Sequence, residues 1–220
     1  MAKRLLNIMK SKKFYIIGIG PGNPDYIIPA VWNAAKKCDC LIGAERNILL
    51  FETKKFENKK KVYIKGTFDY LIDYIKEYYK SETIGVIVSG DPGFHSILNR
   101  IRKYFKKDEY IVIPGISIVQ MAFAKIGDTW EDAKFISCHG KKTRDFIIDD
   151  VKKNDRVLFL TDNNFSPDVI ADILLENHLD NRKAFLFENI SYPDEKIIET
   201  DLENLKNMKG FGLCVIIIKK

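Results

Sequence analysis

Three short loops carry most of the residues through which this chain of 220 residues could do chemistry. They are Gly18-Ile19-Gly20-Pro21-Gly22, Ser89-Gly90-Asp91-Pro92-Gly93-Phe94 and Pro114-Gly115-Ile116-Ser117. Each ends a short apolar run, and in an open α/β sheet such loops gather at the carboxyl ends of the strands, where ligands bind. Glycine lets a ligand come close to the backbone, whose N–H and C=O groups then make directional polar contacts. One such loop could be a tight turn and nothing more. Three of them after three strands argue for a binding cleft.

The pattern speaks against the commoner nucleotide sites. A dinucleotide fingerprint needs G-x-G-x-x-G opening directly into a helix whose N-terminus holds the pyrophosphate. Here Pro21 and Pro24 occupy the turn and delay the helix, and there is no G-x-x-x-x-G-K-[ST] run for a nucleoside triphosphate. No metal site is expected either. Cys38 and Cys40 lie two apart in an apolar stretch, while Cys138 and Cys214 stand alone beside strand-like runs, so all four read as small buried hydrophobes.

The elements that must hold these loops follow from the periodicity. Residues 14–19, 38–42, 61–64, 83–88 and 110–113 read as short buried strands. Residues 29–37, 68–79 and 96–105 read as helices between them, with Pro29 in the first turn of its helix. This alternation implies βαβ units and a largely parallel sheet. In a second half, strands are expected at 135–137, 156–160, 183–187 and 213–218, and helices at 167–177 and 201–207. Ser191-Tyr192-Pro193-Asp194 is a turn before one more strand-like run, 196–200, which makes this second sheet mixed. The expected organisation is α/β throughout. A basic extension (1–13) precedes an N-terminal domain (14–128) and a C-terminal domain (129–220), with the boundary near 127–132.

Composition narrows the class further. Hydrophobic residues make up 46% and charged residues 30%, ample for a packed core. No apolar run approaches the roughly 20 residues of a membrane-spanning helix, and residues 1–13 lack the apolar core of a secretion signal. A cytoplasmic protein that engages neither membrane nor nucleic acid is expected. The net charge of +6 comes partly from runs such as Lys59-Lys60-Lys61 and Lys152-Lys153, which read as solvated faces; a share could serve an acidic ligand. A non-catalytic basic RNA-binding protein is the rival from another class, but basic residues do not interleave with aromatics as in known readers.

The ordered set of motifs resembles the tetrapyrrole (corrin/porphyrin) methylases, and among them the corrin-ring C5 methylases. The resemblance is carried by Gly18-Ile19-Gly20-Pro21-Gly22-Asn23-Pro24-Asp25, then Ile42-Gly43-Ala44-Glu45-Arg46, and by the second and third loops, the latter continuing as Ile118-Val119-Gln120-Met121-Ala122-Phe123-Ala124. Trp130-Glu131-Asp132-Ala133, Ser137-Cys138-His139-Gly140 and Glu188-Asn189-Ile190-Ser191-Tyr192-Pro193-Asp194-Glu195 follow in order, so the match spans about residues 14–219. His95 and Ser96 depart from the pattern, and residues 1–13 have no counterpart in it.

This resemblance implies a two-domain α/β enzyme, usually a homodimer, that binds S-adenosylmethionine as methyl donor in a cleft between its domains. It implies methylation of C5 of cobalt-precorrin-7, or of the cobalt-free counterpart, to give cobalt-precorrin-8. C15 methylation with decarboxylation would fall to a separate protein. A diphthine-type methylase of the same fold is the alternative, against which the second loop and the Glu188–Glu195 segment speak. Methyl transfer from a sulfonium to an electron-rich ring carbon requires no protein nucleophile. The enzyme supplies alignment, worth about 7–11 kcal/mol in the best intramolecular cases. No catalytic group is named by the sequence.

By the same resemblance, Ile19 and Gly20 border the cofactor, and Ser117 and Ile118 match the third loop. Asp91 would accept from the cofactor's ribose or ammonium group, or else is an Asx-type turn residue. Ser117 can also cap a helix beginning near Val119, and Phe94 either packs on the cofactor or belongs to the core. Leu160 and Thr161 at a strand end, with Phe187 and Glu188 opposite, complete the cofactor set. The acidic substrate points to cations: His139, Lys141 and Arg144 in the segment 139–144, and Arg46, arginine suiting carboxylates best. A solvated basic loop is the other reading of that segment. His95 and His139 could be acid–base groups, macrocycle contacts or structural histidines, and His178 is expected on the surface at a helix end.

Overall fold

A computed structural model describes residues 13–64, 67–140, 143–212 and 214–220. The chain divides into two compact units, 1–117 and 118–220. Read from the sequence, the boundary falls eleven residues later, after 128; the helix Ile118–Lys125, placed before it there, clusters with the second unit.

The first unit is a five-stranded parallel sheet with helices on both faces. Strand β1 (Phe14–Gly18) leads through a single 3₁₀ turn (Pro24–Tyr26) to helix α1 (Pro29–Lys37). Next come β2 (Cys40–Gly43), a short helix α2 (Glu45–Ile48), two further 3₁₀ turns (Leu49–Phe51 and Lys54–Phe56) and β3 (Lys60–Tyr63). Helix α3 (Phe68–Tyr78), β4 (Ile84–Val88), the short α4 (Leu98–Ile101) and β5 (Tyr110–Ile113) close the unit. The strand order is β3-β2-β4-β1-β5, every neighbouring pair parallel.

Strand β1 shows why its sequence is an unbroken apolar run. Phe14 and Ile16 enter the core on one face, against Leu71, Ile72 and Ile75 of α3; Ile17 and Ile19 enter the other, against Val31 and Ala35 of α1. A strand covered on both sides has no solvent face and so no polar alternation. The helix expected at 96–105 is shorter than its pattern. After Ile101 the chain tightens into 3₁₀-type turns, Lys103 N–H donating to Arg100 C=O (3.1 Å) and Tyr104 N–H to Ile101 C=O (2.9 Å).

The second unit begins with α5 (Ile118–Lys125) and β6 (Lys134–Ser137). It continues with α6 (Asp145–Lys153), β7 (Arg156–Leu160), α7 (Pro167–Glu176) and β8 (Lys183–Glu188). Strand β9 (Lys196–Asp201), α8 (Leu202–Asn207) and β10 (Cys214–Lys219) complete it. The strand order is β6-β7-β10-β8-β9; only β6 and β7 pair in parallel, so the sheet is mixed as its hairpin implied. Ile147 and Val151 of α6, Ile170 and Leu174 of α7, and Leu202 and Leu205 of α8 pack into one core with Val157, Phe159 and Ile216.

Helix α6 was not anticipated, although Ile147 and Val151 stand four apart on its buried face. Its C-terminal carbonyls are satisfied by a buried arginine: Arg182 donates through Nη1 to Asn154 O (2.9 Å) and through Nη2 to Val151 O (2.8 Å). All four cysteines are buried, and burial pushes the Cys38 thiol up to about 12. No described helix is long and apolar enough to cross a membrane.

Candidate functional site

In the first unit the three glycine loops meet. Strands β4, β1 and β5 are adjacent and parallel, so their carboxyl ends deliver the loops after residues 88, 18 and 113 to one edge of the sheet. Contact there is backbone to backbone. A Cβ on Gly18 would stand 2.5 Å from Gly90 O and 2.9 Å from Gly115 N; one on Gly115 would stand 2.3 Å from Gly90 O. No side chain fits at either position. Gly20 and Gly90 form an isolated antiparallel bridge, Gly90 N–H donating to Gly20 O (2.8 Å) and Gly20 N–H to Gly90 O (3.2 Å).

Asp91 ties two of the loops together. Its Oδ1 accepts from Gly93 N–H (2.7 Å) and its Oδ2 from Gly115 N–H (3.2 Å), 24 residues away. The first bond is the Asx-type turn weighed from the sequence; the second joins the second loop to the third. A carboxylate has about four acceptor sites, so these two bonds leave capacity for a ligand donor. On Gly90 a Cβ would meet nothing within 4 Å, so the junction borders open space there.

The other first-unit candidates lie around this junction or away from it. Ile19 is buried and its N–H extends the strand ladder to Val88 O (2.9 Å), so it offers backbone rather than side chain. Phe94 is half-buried and meets the His95 ring edge-on at 4.8 Å; His95 is exposed and takes the left-handed conformation (φ 45°), uncommon for a residue with a side chain. Ser117, buried, ends the unit directly before α5, which starts at Ile118. Arg46 is exposed on α2.

In the second unit, His139 and Thr161 line one open groove of about 850 Å³. The Thr161 hydroxyl is committed, donating to Cys214 O (2.7 Å), so this strand end too offers mainly backbone. Leu160 O accepts from Cys138 N–H (2.9 Å). Phe187 is buried on β8, and the neighbouring Glu188 accepts from Gly212 N–H (2.8 Å) and pairs with Lys196 (3.3 Å). The Gly212 N–H, and then Lys196, hold the Glu188 carboxyl below its ordinary value against the opposing effect of burial. Gly212 itself lines the groove.

Two groove carboxylates escaped the sequence reading. Asp162 accepts from Asn164 and Phe165 N–H (both 2.9 Å) and lies 3.8 Å from His139 Nδ1, beyond hydrogen-bond reach. Asp168 is bound by Ser166 and Lys209; burial alone would raise its carboxyl, but these two partners bring it below the ordinary range. The run Asp162-Asn163-Asn164 with Ser166-Pro167-Asp168 is the available signal, directly before and at the start of the helix expected at 167–177.

The proposed substrate cations divide. His139 is 65% exposed at the groove, whereas Arg144 is 57% exposed just before α6 and pairs with Glu176 of α7 (3.5 Å). Lys141 lies outside the described residues. His178 is exposed just past the end of α7.

Comparison with known proteins agrees with this layout. The chain is 34% identical to the probable cobalt-precorrin-7 C(5)-methyltransferase of Methanocaldococcus jannaschii, over 88% of this chain and 91% of that protein. It is 28% identical to the cobalt-precorrin-7 C(5)-methyltransferase of Salmonella typhimurium, covering 83% and 87%. Its fold matches the uroporphyrin-III C-methyl transferase of Thermus thermophilus complexed with S-adenyl homocysteine, at a TM-score of 0.74 and 16% identity, over 94% of this chain and 97% of that one. The sequence model of the tetrapyrrole (corrin/porphyrin) methylases matches residues 13–206, and with two parallel-sheet and mixed-sheet α/β units of the same design the chain belongs to that family of methyltransferases.

Proposed function

We propose that this protein is an S-adenosylmethionine-dependent C-methyltransferase of corrin synthesis that methylates C5 of cobalt-precorrin-7, giving cobalt-precorrin-8. The observation that carries the substrate is the near full-length similarity to two proteins named for that reaction, one of them 34% identical. For the cofactor, support comes from the junction of the three loops, where open space beside Gly90 adjoins the part-engaged carboxylate of Asp91.

The cofactor supplies an electrophilic methyl group on a sulfonium. The chain's own part is positioning. Ile19, Gly20 and Gly90, whose N–H groups are bonded within the loops, offer carbonyl lone pairs on a rigid edge, and Asp91 offers acceptor oxygens for a ribose hydroxyl or an ammonium group. Backbone-lined, close-packed loops lose little freedom when a ligand docks, and such preorganisation favours in-line alignment. Ser117, Ile118, Leu160, Thr161, Phe187 and Glu188 are proposed as further cofactor neighbours, and His139, Arg144 and Arg46 as contacts for the acidic ring substituents. The enzyme is proposed to act as a homodimer in the cytoplasm, which sedimentation and fractionation test.

The deciding experiment incubates the protein with S-adenosylmethionine and cobalt-precorrin-7 and locates the added methyl group by mass and NMR analysis. One methyl at C5 is expected. A methyl elsewhere overturns the substrate, and absence of cofactor binding at millimolar concentration overturns the enzyme reading.

A further inference from the structure

The first unit carries a second concavity that the methyltransferase reading does not use. It is a surface pocket of about 570 Å³, within the range of small-molecule sites. Its floor is apolar: Ile27 and Phe56 are buried, and the half-buried Trp32 ring is backed by Phe51 at 5.3 Å and Phe56 at 5.9 Å. Its rim carries Lys36, Lys54 and Lys55, all exposed, and no carboxylate is among the residues lining it. Two of these features have structural causes that leave the site intact. Lys59 donates to Lys36 O (2.8 Å), which pins the end of α1 beside the 3₁₀ turn Lys54–Phe56 and so fixes the rim. The turn Pro24–Tyr26 fixes the other side, Ile27 N–H donating to Pro24 O (3.0 Å).

We propose that this pocket binds a small anion with a flat apolar body of one or two rings, such as an aromatic carboxylate or sulfonate. The ring rests on Trp32 and Phe56, where aromatic surface is removed from water. The anionic group meets the three ammonium groups at the rim, none of which is in a salt bridge among the described residues, and they attract it from solution. An uncharged ring leaves those lysines unused; a small inorganic anion leaves the floor bare. The site is therefore selective for the combination. The same turn connects the pocket to the first glycine loop, since the Tyr26 carbonyl stands 3.1 Å from where a Gly20 Cβ would lie.

The probe is 5-(dimethylamino)naphthalene-1-sulfonate, with 1-(dimethylamino)naphthalene as the same rings without the charge. The chain has two tryptophans, so a Trp130→Phe variant leaves Trp32 alone to report by energy transfer to the dye. Saturable binding at one site with quenching of Trp32 is expected, and the uncharged dye binds more weakly. The double variant Lys54→Glu/Lys55→Glu, confined to exposed side chains, should lower the affinity about tenfold, as two lost and reversed surface pairings imply. Equal affinity for the two dyes, an unchanged affinity in the double variant with native circular dichroism, or dye binding without Trp32 quenching would each overturn the proposal. Raising the salt concentration should weaken the sulfonate alone.

Discussion

The glycine junction of the first unit and the polar groove of the second are built on opposite plans. At the junction, the groups proposed to meet a ligand are backbone atoms and the one Asp91 carboxylate, fixed by strands so close that Gly18, Gly90 and Gly115 leave no room for a Cβ between them. In the groove, side chains do the work: His139, Asp162, Asp168 and Lys209 line an open concavity, with the backbone tied by Thr161 to Cys214. The first plan gives precision and tolerates no substitution. The second is adjustable, and its cost is a set of carboxylates that must stay ionised to remain paired.

The largest effect expected tests the rigidity of the junction. Gly115→Ala places a Cβ 2.3 Å from Gly90 O and 2.7 Å from the Gly18 backbone, none of which can yield like a side-chain tip. A loss of about 3 kcal/mol or more is expected in urea unfolding, at the upper end of overpacking effects. A loss under 1 kcal/mol would mean that the loops are mobile and that the contrast with the groove is false.

A comparable sensitivity exists in the second unit, but it lies in α6 rather than in the groove. Arg182→Ala leaves the carbonyls of Val151 and Asn154 without their buried donors, and a cost of about 2–4 kcal/mol is expected from two lost charge-assisted bonds. Lysine cannot span both carbonyls, so Arg182→Lys should recover little. Groove substitutions such as Asn163→Ala should by contrast stay within about 0.5 kcal/mol.

Asp91 separates structure from binding at the junction. Asp91→Ala removes acceptors from Gly93 and Gly115 N–H and should cost about 1–3 kcal/mol, together with roughly tenfold weaker S-adenosylmethionine binding by calorimetry. Asp91→Asn keeps one acceptor oxygen, so it should retain the turn to Gly93 and lose the tie to Gly115. Cofactor affinity equal to that of the unsubstituted protein in both variants would make Asp91 a loop brace only.

How much of this was legible follows from which interactions are local. The runs at 14–18 and 84–88 announce buried strands because both faces are covered, and the Gly-Pro punctuation announces the loops. That three loops 70 and 25 residues apart would touch depended on strand order, which no local pattern encodes. The bond from Asp91 to Gly115 is invisible for the same reason, whereas its bond to Gly93 is local and was foreseeable. Helix α6 was missed because its buried stripe is only Ile147 and Val151, among Asp145, Asp149 and Asp150 and directly after a basic run of sequence; its end is capped by Arg182, 29 residues beyond Lys153. Read outward, Ser96 to Phe105 kept helical spacing through turns that are not helical, since 3₁₀ and α turns share much of that spacing.

The smallest expected effect compares the two units under acid. Four second-unit carboxylates sit below their ordinary values: Asp128, held by Lys219; Asp168 and Glu195, where burial is outweighed only by a lysine acting together with Ser166 in the first and Ser191 N–H in the second; and Glu188, held by Gly212 N–H. In the first unit the resolved cases are Glu52, held by Lys61 and Tyr63 on an exposed surface, and Glu109, held by Tyr79. A carboxyl group with a lowered folded value adds stability above its unfolded value, and loses it as the pH falls through the folded one. Below about pH 4 the second unit should therefore weaken first. Trp32 lies in the first unit and Trp130 in the second, so Trp130→Phe and Trp32→Phe variants report each unit by fluorescence. A Trp130 transition at higher pH than that of Trp32 is expected, and Glu195→Gln, which drops the charge facing Lys125 at 2.6 Å, should narrow the gap. Coincident transitions would mean that acid stability is shared by the whole chain, and that the paired carboxylates of the second unit do not make it the weaker one.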